Sequence, residues 1–152
     1  LEMCYKMFKL RELFLPLSEY DEIFLDTPPA WNFYTRSALI ASERGLIPFD
    51  CDAFSRQALH TLLQQVREIS SDHNPQLEVD GIVANQFQPR ARLPRQLMKE
   101  MLAEDLPVLE TKLSSSIKIR ESHQHRKLLV FMDPQHKITL EFRNLYHELQ
   151  SN

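Results

Sequence analysis

A carboxylate stands at the predicted end of an apolar strand. The run Ile23–Leu25 is apolar, Asp26 follows it directly, and the Thr-Pro-Pro sequence after Asp26 turns the chain away. In an open α/β sheet, ligands bind beyond the carboxyl ends of the strands, where a carboxylate is well placed to hold a hydrated cation. Asp26 is therefore the first candidate for metal binding. Its alternative role is to cap the helix that follows.

Histidine and cysteine residues are weaker candidates. His123 and His125 are alternate residues that suit a shared metal ion, but no cysteine or carboxylate cluster accompanies them. This pattern favours a solvated loop over a metal site. Cys4 and Cys51 lack the spacing of a zinc site, and they fit a reducing compartment.

The composition is that of an ordinary soluble globular protein, with 43% hydrophobic and 26% charged residues. The net charge of -3 argues against a protein that coats nucleic acid with its whole surface, but a local basic patch fits it. No apolar run approaches the ~20 residues that span a bilayer, and the first residues show no signal-peptide pattern. We therefore expect a cytoplasmic setting.

Strand and helix signals alternate along the chain. The predicted elements are, in order, a helix over Leu1–Leu17, a strand over Ile23–Leu25, a helix over Trp31–Ser42 ended by Gly45, a strand over Leu46–Phe49, a helix over Ala53–Ser70, a strand over Val79–Asn85, a helix over Pro94–Ala103, a strand over Leu106–Leu109 and a helix over Ile138–Leu149. This order predicts an α/β fold, with a mostly parallel sheet flanked by helices on both faces, as a single domain over residues 1–152.

The apolar spacing also predicts the buried sides of two helices. In the helix over Ala53–Ser70 we expect burial of Phe54, Ala58, Leu62, Val66 and Ile69. In the last helix we expect burial of Leu140, Phe142, Leu145, Tyr146 and Leu149.

Taken together, these segments resemble the ParA family of partition ATPases, relatives of MinD. The matching stretches are YDEIFLDTPP, LIPFDCDAFSRQALHTLL, GIVANQFQPRARLPRQLMKEM, SSSIKIRESHQHRK and FMDPQHK. Their order and spacing match over about 130 residues, which is more specific than any single motif. The resemblance implies an incomplete P-loop NTPase-like α/β sandwich and, in the complete protein, an ATP-bound homodimer.

The resemblance assigns nucleotide roles to residues at two strand ends. Asp26 corresponds to the Walker B aspartate, which holds Mg²⁺ through water, and the switch that responds to the γ-phosphate corresponds to Thr27, Pro28 and Pro29. Asn85 lies where the family has residues near the adenine. Ser115 lies in the stretch 113–116, which resembles the loop that closes over the base, although serines stand here where the family often has a proline.

The resemblance also implies a DNA-binding segment. Its basic residues are Lys118, Arg120, Arg126 and Lys127, which in this family help the ATP-bound dimer hold nonspecific DNA. Flexible cations on a loop pair with phosphates without reading sequence, so such binding weakens with salt. A solvated charged loop is the simpler interpretation of the same residues. A second candidate surface carries Arg90, Arg92 and Arg95.

The family's phosphate-binding loop, with two lysines and several glycines, is not found in this sequence. Its only glycines are Gly45 and Gly81, too far apart to let backbone N–H groups approach a phosphate. We therefore expect the later portion of a ParA-type protein, which hydrolyses no ATP by itself. We expect a separate fragment, a second copy, or the segment Leu1–Leu17 to fill the gap that the missing strand leaves in the sheet.

The resulting functional prediction is an ATPase of plasmid or chromosome partitioning that uses ATP and Mg²⁺, binds a ParB-type partner, and associates with the nucleoid in the cytoplasm. The alternative is a nucleotide-independent module that binds DNA or a partner protein. An adenine methyltransferase is disfavoured, since Ala30 replaces the aromatic residue of its Asp-Pro-Pro motif. A MinD-type membrane helix is disfavoured because Tyr146–Asn152 is neither strongly basic nor apolar, so we expect no membrane binding.

Overall fold

The computed structural model describes residues 2–151, apart from the side chains of residues 2–5, 53 and 54. In these residues the elements are α1 (Glu2–Phe14), α2 (Phe33–Ala41), β1 (Arg44–Asp50), α3 (Ala53–Asp72), β2 (Glu78–Phe87), α4 (Arg92–Ala103), β3 (Val108–Ser114), α5 (Ile117–Gln124), α6 (Leu129–Met132) and α7 (Lys137–Ser151). Within the described residues, none of these helices has both the length and the apolar character that a membrane span requires.

The three strands form one sheet in the order β1-β2-β3, and β2 and β3 are parallel. At the start of β2, the backbone N–H of Glu78 donates to the carbonyl of Glu43, just before β1, at 2.9 Å. Near the end of β2, the Asn85 amide donates to Asp50, the last residue of β1, at 3.0 Å. The start of β1 therefore lies beside the start of β2, and the end of β1 beside the end of β2, so these two strands are also parallel. This confirms the predicted α/β class.

The central strand β2 is covered on both faces. Its residues Gly81–Ala84 are all buried, although side chains of successive strand residues point to opposite faces. Gly81 is required by close packing, because a Cβ atom at this position would lie 2.5 Å from the side chain of Leu109 in β3. The predicted strand over Val79–Asn85 is thus confirmed, and the structure extends it by one residue at its start and two at its end.

The predicted strand over Ile23–Leu25 is wrong. Residues 22–28 have no regular secondary structure, and Phe24 is 77% exposed. Strand residues need a neighbouring strand to take up their backbone N–H and C=O groups. In the described residues, the sheet of β1, β2 and β3 offers this stretch no pairing partner.

Contacts divide the chain into two compact units, of which the first comprises the residues up to Gly45 and Thr61–Glu78. Here α1 packs against α2. The buried Asn74 amide donates to the carbonyls of Leu39 at 2.9 Å and Ser42 at 2.6 Å, and so satisfies the last turn of α2. The helix therefore ends at Ala41 without Gly45, which lies inside β1 instead of ending α2 as predicted.

The second unit comprises Leu46–His60 and Val79–Asn152. In this unit α7 lies against β3. The contact forms a hydrophobic cluster of Val83, Leu109, Leu113, Ile138 and Leu145. The cluster joins the central strand, the edge strand and the last helix.

Two carboxylates of α7 accept hydrogen bonds from the backbone of β3. Glu148 accepts from the N–H groups of Glu110 at 2.6 Å and Thr111 at 2.9 Å. Glu141 accepts from the N–H of Ser114 at 2.7 Å and from its hydroxyl at 2.7 Å. Because these residues are seven apart, they lie on the same side of α7. They satisfy backbone groups that an edge strand would otherwise leave free.

The buried sides predicted for two helices are partly wrong. In α7 the structure buries Ile138, Thr139 and Leu145, while Phe142 and Tyr146 are 46% and 50% exposed. In α3 it buries Leu59, Leu63, Val66 and Ile69. Ala58 is exposed, and the side chain of Phe54 lies outside the described residues. The predictions for Val66, Ile69 and Leu145 are therefore confirmed, whereas those for Ala58, Leu140, Phe142 and Tyr146 are wrong.

Candidate functional site

Polar side chains meet at the carboxyl ends of β1 and β2. The carboxylate of Asp50 accepts from the amide of Asn85 at 3.0 Å and from the amide of Gln86 at 3.4 Å. Gln86 has a left-handed backbone, with φ of 49°, which is uncommon for a residue other than glycine. The strand end on which Asn85 was predicted is therefore an ordered polar edge of the second unit.

Three further residues shape the electrostatics of this edge. Burial raises the pKa of the Cys51 thiol, and the charges of Asp50 and Asp52 raise it further, against the opposing effect of Lys112. The thiol is therefore protonated at neutral pH and is a poor nucleophile. The Lys112 ammonium lies 5.9 Å from the centre of the Phe87 ring.

Sequence reasoning missed Asp50 and Lys112 at this edge. The signal was present for Asp50, which directly follows an apolar strand and begins an Asp-Cys-Asp run. Lys112 gave no such signal, because it lies on a polar strand whose register with β2 is known only from the structure.

Asp26 lies in the first unit, in a stretch without regular secondary structure, and is exposed. Among the described residues it has no hydrogen bond or ion pair. Its alternative role as a helix cap belongs to another residue. The side chain of Asn32 accepts from the N–H groups of Tyr34 at 2.9 Å and Thr35 at 3.1 Å, and so begins α2.

The predicted switch residues Thr27, Pro28 and Pro29 are exposed and precede α2. The carbonyl of Pro28 accepts from the N–H of Ala30 at 2.7 Å and from the hydroxyl of Thr35 at 3.4 Å. The turn is thereby attached to the first turn of α2. A shift in the turn changes contacts of that helix directly.

The stretch predicted to close over a base is held at both sides of an exposed Ser115. On one side, the hydroxyl of Ser114 also accepts from Lys137 at 2.9 Å. On the other, the hydroxyl of Ser116 accepts from the N–H of Lys118 at 3.2 Å and caps α5. Ser115 is therefore presented to solvent between two fixed neighbours.

The predicted basic loop is largely a helix, so the expectation of a flexible loop is wrong. Lys118 and Arg120 lie on α5, and Arg126 and Lys127 lie in the turn that ends it. Lys118 pairs with Glu121 at 2.7 Å, and this hydrogen bond and charge raise the pKa of Lys118. Within residues 2–151, Arg120, Arg126 and Lys127 make no ion pair.

Metal ligands do not assemble in the part of the chain that the structure describes. No three histidine, cysteine, aspartate or glutamate side chains come together there. His123 is on α5, and His125 is its C-terminal cap residue. Their neighbours include no further ligand that completes a metal site.

Comparison with known proteins identifies the family. A protein-family profile described as an AAA domain matches residues 5–79. The chain is 28% identical over 144 residues to the chromosome partitioning protein ParA of Myxococcus xanthus. This match covers 93% of the present chain and 51% of that protein. It is 27% identical over 134 residues to the sporulation initiation inhibitor protein Soj of Bacillus subtilis, covering 88% of this chain and 53% of that protein. The chain is a ParA-family sequence.

The ParA-family relation agrees with the fold. The solved structure of cobyrinic acid a,c-diamide synthase from Mycobacterium smegmatis, with bound ATP analog and magnesium, matches with a TM-score of 0.67 at 20% identity. The match covers 72% of this chain and 45% of the synthase. The present chain spans about half the length of the curated relatives it matches.

Proposed function

We propose that this ParA-family chain is part of an ATPase that partitions plasmids or chromosomes. The observation that carries the proposal is the relation to ParA and Soj, which runs through most of the chain. In the complete protein an ATP-bound homodimer holds nonspecific DNA at the nucleoid, and a ParB-type partner stimulates hydrolysis and releases the DNA.

The proposed nucleotide contacts are those that the family resemblance assigns. Asp26 holds Mg²⁺ through water, and the turn at Thr27, Pro28 and Pro29 senses the γ-phosphate. The exposed carboxylate of Asp26, which has no partner in the described residues, supports this role. Asn85 and Ser115 contact the base. The structural neighbour with bound ATP analog and magnesium supports nucleotide and Mg²⁺ as the ligands of this fold.

We expect no Mg²⁺-dependent ATP hydrolysis by these residues alone. Gly45 and Gly81 both lie within strands, so neither belongs to a loop that cradles phosphates. No group then stabilises the charge of the transferred phosphoryl group. Phosphate release by the purified chain, abolished by Asp26→Ala, would overturn this expectation.

The proposed DNA surface is the basic segment of α5 and the turn after it. Arg120, Arg126 and Lys127 are exposed and have no ion pair in the described residues, so their charges are available to phosphates. Lys118 is available only in part, because Glu121 competes for it. Such contacts carry no sequence information, which suits nonspecific binding.

DNA binding is tested by fluorescence anisotropy with a short duplex of arbitrary sequence, over about 50 to 200 mM salt. The Arg120→Ala/Lys127→Ala double variant should bind more weakly than the parent chain. Its slope of log affinity against log salt should fall by about 1 to 2 units, since each lost phosphate contact removes about 0.9. The matched control is Arg92→Ala/Arg95→Ala, which removes two charges from α4. Loss of binding in the control alone would assign DNA to α4 instead.

The second candidate is a nucleotide-independent module that binds DNA or a partner. Its support is the second unit, which carries the basic segment and has its own hydrophobic cluster. Mg²⁺ and ATP discriminate the two functions. In the complete protein, DNA binding that is unchanged by Mg²⁺ and ATP favours the module, whereas binding that increases with them favours the partition ATPase.

A further inference from the structure

A pocket of about 670 Å³ opens on the second unit at α5, α6 and α7. Its walls are mainly apolar and include Ile119, Leu128, Leu129, Val130, Phe142 and Tyr146. Several of these side chains face solvent, among them Leu128, which is 67% exposed. Contiguous apolar surface that is exposed in this way is typical of a binding site.

The charges that line this pocket have one sign. Arg126, Lys127 and Arg143 line it and are exposed. Across residues 2–151 they make no ion pair, and no aspartate or glutamate is among the lining residues. His123 and His147 also line the pocket. The pocket therefore combines an apolar interior with unneutralised cations.

We propose that this pocket docks an acidic amphipathic helix of a partner protein. Apolar side chains of such a helix, spaced at i, i+3, i+4 and i+7, fill the space between Leu128, Phe142 and Tyr146. Carboxylates beside them pair with Arg126, Lys127 and Arg143. DNA would pair with the cations of the pocket but leave its apolar walls in water. An acidic amphipathic helix covers the apolar walls and also pairs with the cations.

The proposal goes beyond nucleotide binding and has a consequence for DNA. Arg126 and Lys127 belong both to this pocket and to the proposed DNA surface. A carboxylate and a phosphate cannot occupy the same guanidinium or ammonium group at once. Docking of the acidic helix and DNA binding should therefore exclude each other.

The test uses two synthetic helical peptides and the purified chain. Both peptides carry leucines at i, i+3, i+4 and i+7. One carries glutamates beside the leucines, and the other carries lysines in the same places. In fluorescence anisotropy the glutamate peptide should bind saturably, and about tenfold or more tightly than the lysine peptide. Equal binding of the two peptides, or binding of neither, overturns the proposal.

Charge reversal at the pocket should act on the glutamate peptide specifically. Arg143→Glu should weaken it about tenfold. The matched control is Arg95→Glu on α4, where the residue is exposed and outside the pocket lining. An equal loss in the control would show an effect of net charge only, and would overturn the assignment to the pocket.

A change in the apolar wall distinguishes peptide binding from DNA binding. Leu128→Ala should weaken the glutamate peptide about tenfold and leave DNA binding unchanged, because Leu128 offers no charge to a phosphate. Its exposure makes unfolding by this change unexpected, and circular dichroism checks that the fold is kept. Unchanged peptide binding in Leu128→Ala would show that the peptide does not use the apolar wall of the pocket and would overturn the proposal.

Discussion

Two apolar stretches were both predicted as strands, and only one forms. The predicted strand Leu106–Leu109 overlaps strand β3, which covers Val108–Ser114, while Ile23–Leu25 has no regular secondary structure and no strand partner in the described residues. β3 pairs with β2, and the carboxylates of Glu141 and Glu148 accept hydrogen bonds from further backbone N–H groups of β3. Nothing comparable serves Ile23–Leu25 among the described residues.

The difference teaches that an apolar run becomes a strand only where its backbone groups find partners. Strand β3 is less apolar than Ile23–Leu25, since Glu110, Thr111 and Lys112 lie in its centre. Its partners in β2 lie 26 to 28 residues upstream, and its partners in α7 lie 27 to 38 residues downstream along the chain. Local composition contains no information about such distant partners.

The largest expected effect comes from emptying the contact between β3 and α7. Ile138 is 1% exposed and lies in the cluster with Leu109 and Leu113. Ile138→Ala should lower the free energy of unfolding by about 3 kcal/mol, from lost burial and the cavity that remains. Phe24→Ala, in the unpaired stretch, should change it by less than about 0.5 kcal/mol. Urea denaturation followed by circular dichroism measures both.

The comparison fails if the two variants lose similar stability. A loss of more than about 2 kcal/mol in Phe24→Ala would mean that Phe24 is packed in solution as in a formed strand. The contrast with β3 would then disappear. The matched pair makes the comparison independent of the absolute stability of the chain.

A smaller effect is expected from the carboxylates of α7 that accept hydrogen bonds from the backbone of β3. Glu148→Gln keeps the shape but removes the charge that accepts from Glu110 and Thr111, and should lower the free energy of unfolding by about 1 kcal/mol. Glu68→Gln, at another helix position that bonds to Gln64, is the matched control and should have little effect. A loss in Glu68→Gln equal to that in Glu148→Gln would contradict a special role for the backbone contact.

The same carboxylate predicts a pH dependence. Burial raises the pKa of Glu148, but hydrogen bonds from Thr111 and Glu110 and the charge of Lys112 outweigh it, so the pKa lies below its ordinary value. A lowered folded-state pKa gives stability that is present above the unfolded pKa, about 4.3, and is lost as the pH falls through the folded pKa. The stability difference between the parent chain and Glu148→Gln should therefore shrink in acid.

Sequence patterns predicted most elements of this fold. The strand at Leu46–Phe49 and the helix at Ala53–Ser70 were found within a few residues, because apolar runs and turn residues bound them. The predicted strand at Leu106–Leu109 began two residues early and missed the polar residues that β3 includes. Those residues form a strand because of pairing with β2 and α7, which local pattern does not contain.

The candidate sites were predictable to a smaller extent. Asn85 lies two residues before the end of β2, where the buried run of this strand stops, and its contact with the base stays a prediction. Its contact with Asp50 joins residues 35 positions apart and depends on strand order. The pocket at α5, α6 and α7 was missed because Phe142 and Tyr146 were assigned to the buried side of α7. Their exposure follows from the rotation of α7, which Glu141 and Glu148 fix against β3.

The smallest expected effect lies in the turn after α5, where the backbone is satisfied but strained. The N–H of Arg126 donates to His123 at 3.1 Å and that of Lys127 to Ser122 at 3.1 Å, which is the hydrogen-bond pattern of a Schellman motif. Arg126 has φ of 50°, a conformation that glycine adopts without strain. Arg126→Gly should raise the free energy of unfolding by up to about 1 kcal/mol. Arg126→Ala keeps the strain and should not raise the free energy of unfolding.

Because both variants lose the same charge, both should weaken DNA binding equally, so the effects on stability and on DNA binding can be told apart at one residue. Unlike Ile23–Leu25, this turn finds all its partners locally, and equal stability of the two variants would show that its strain is already relieved in solution.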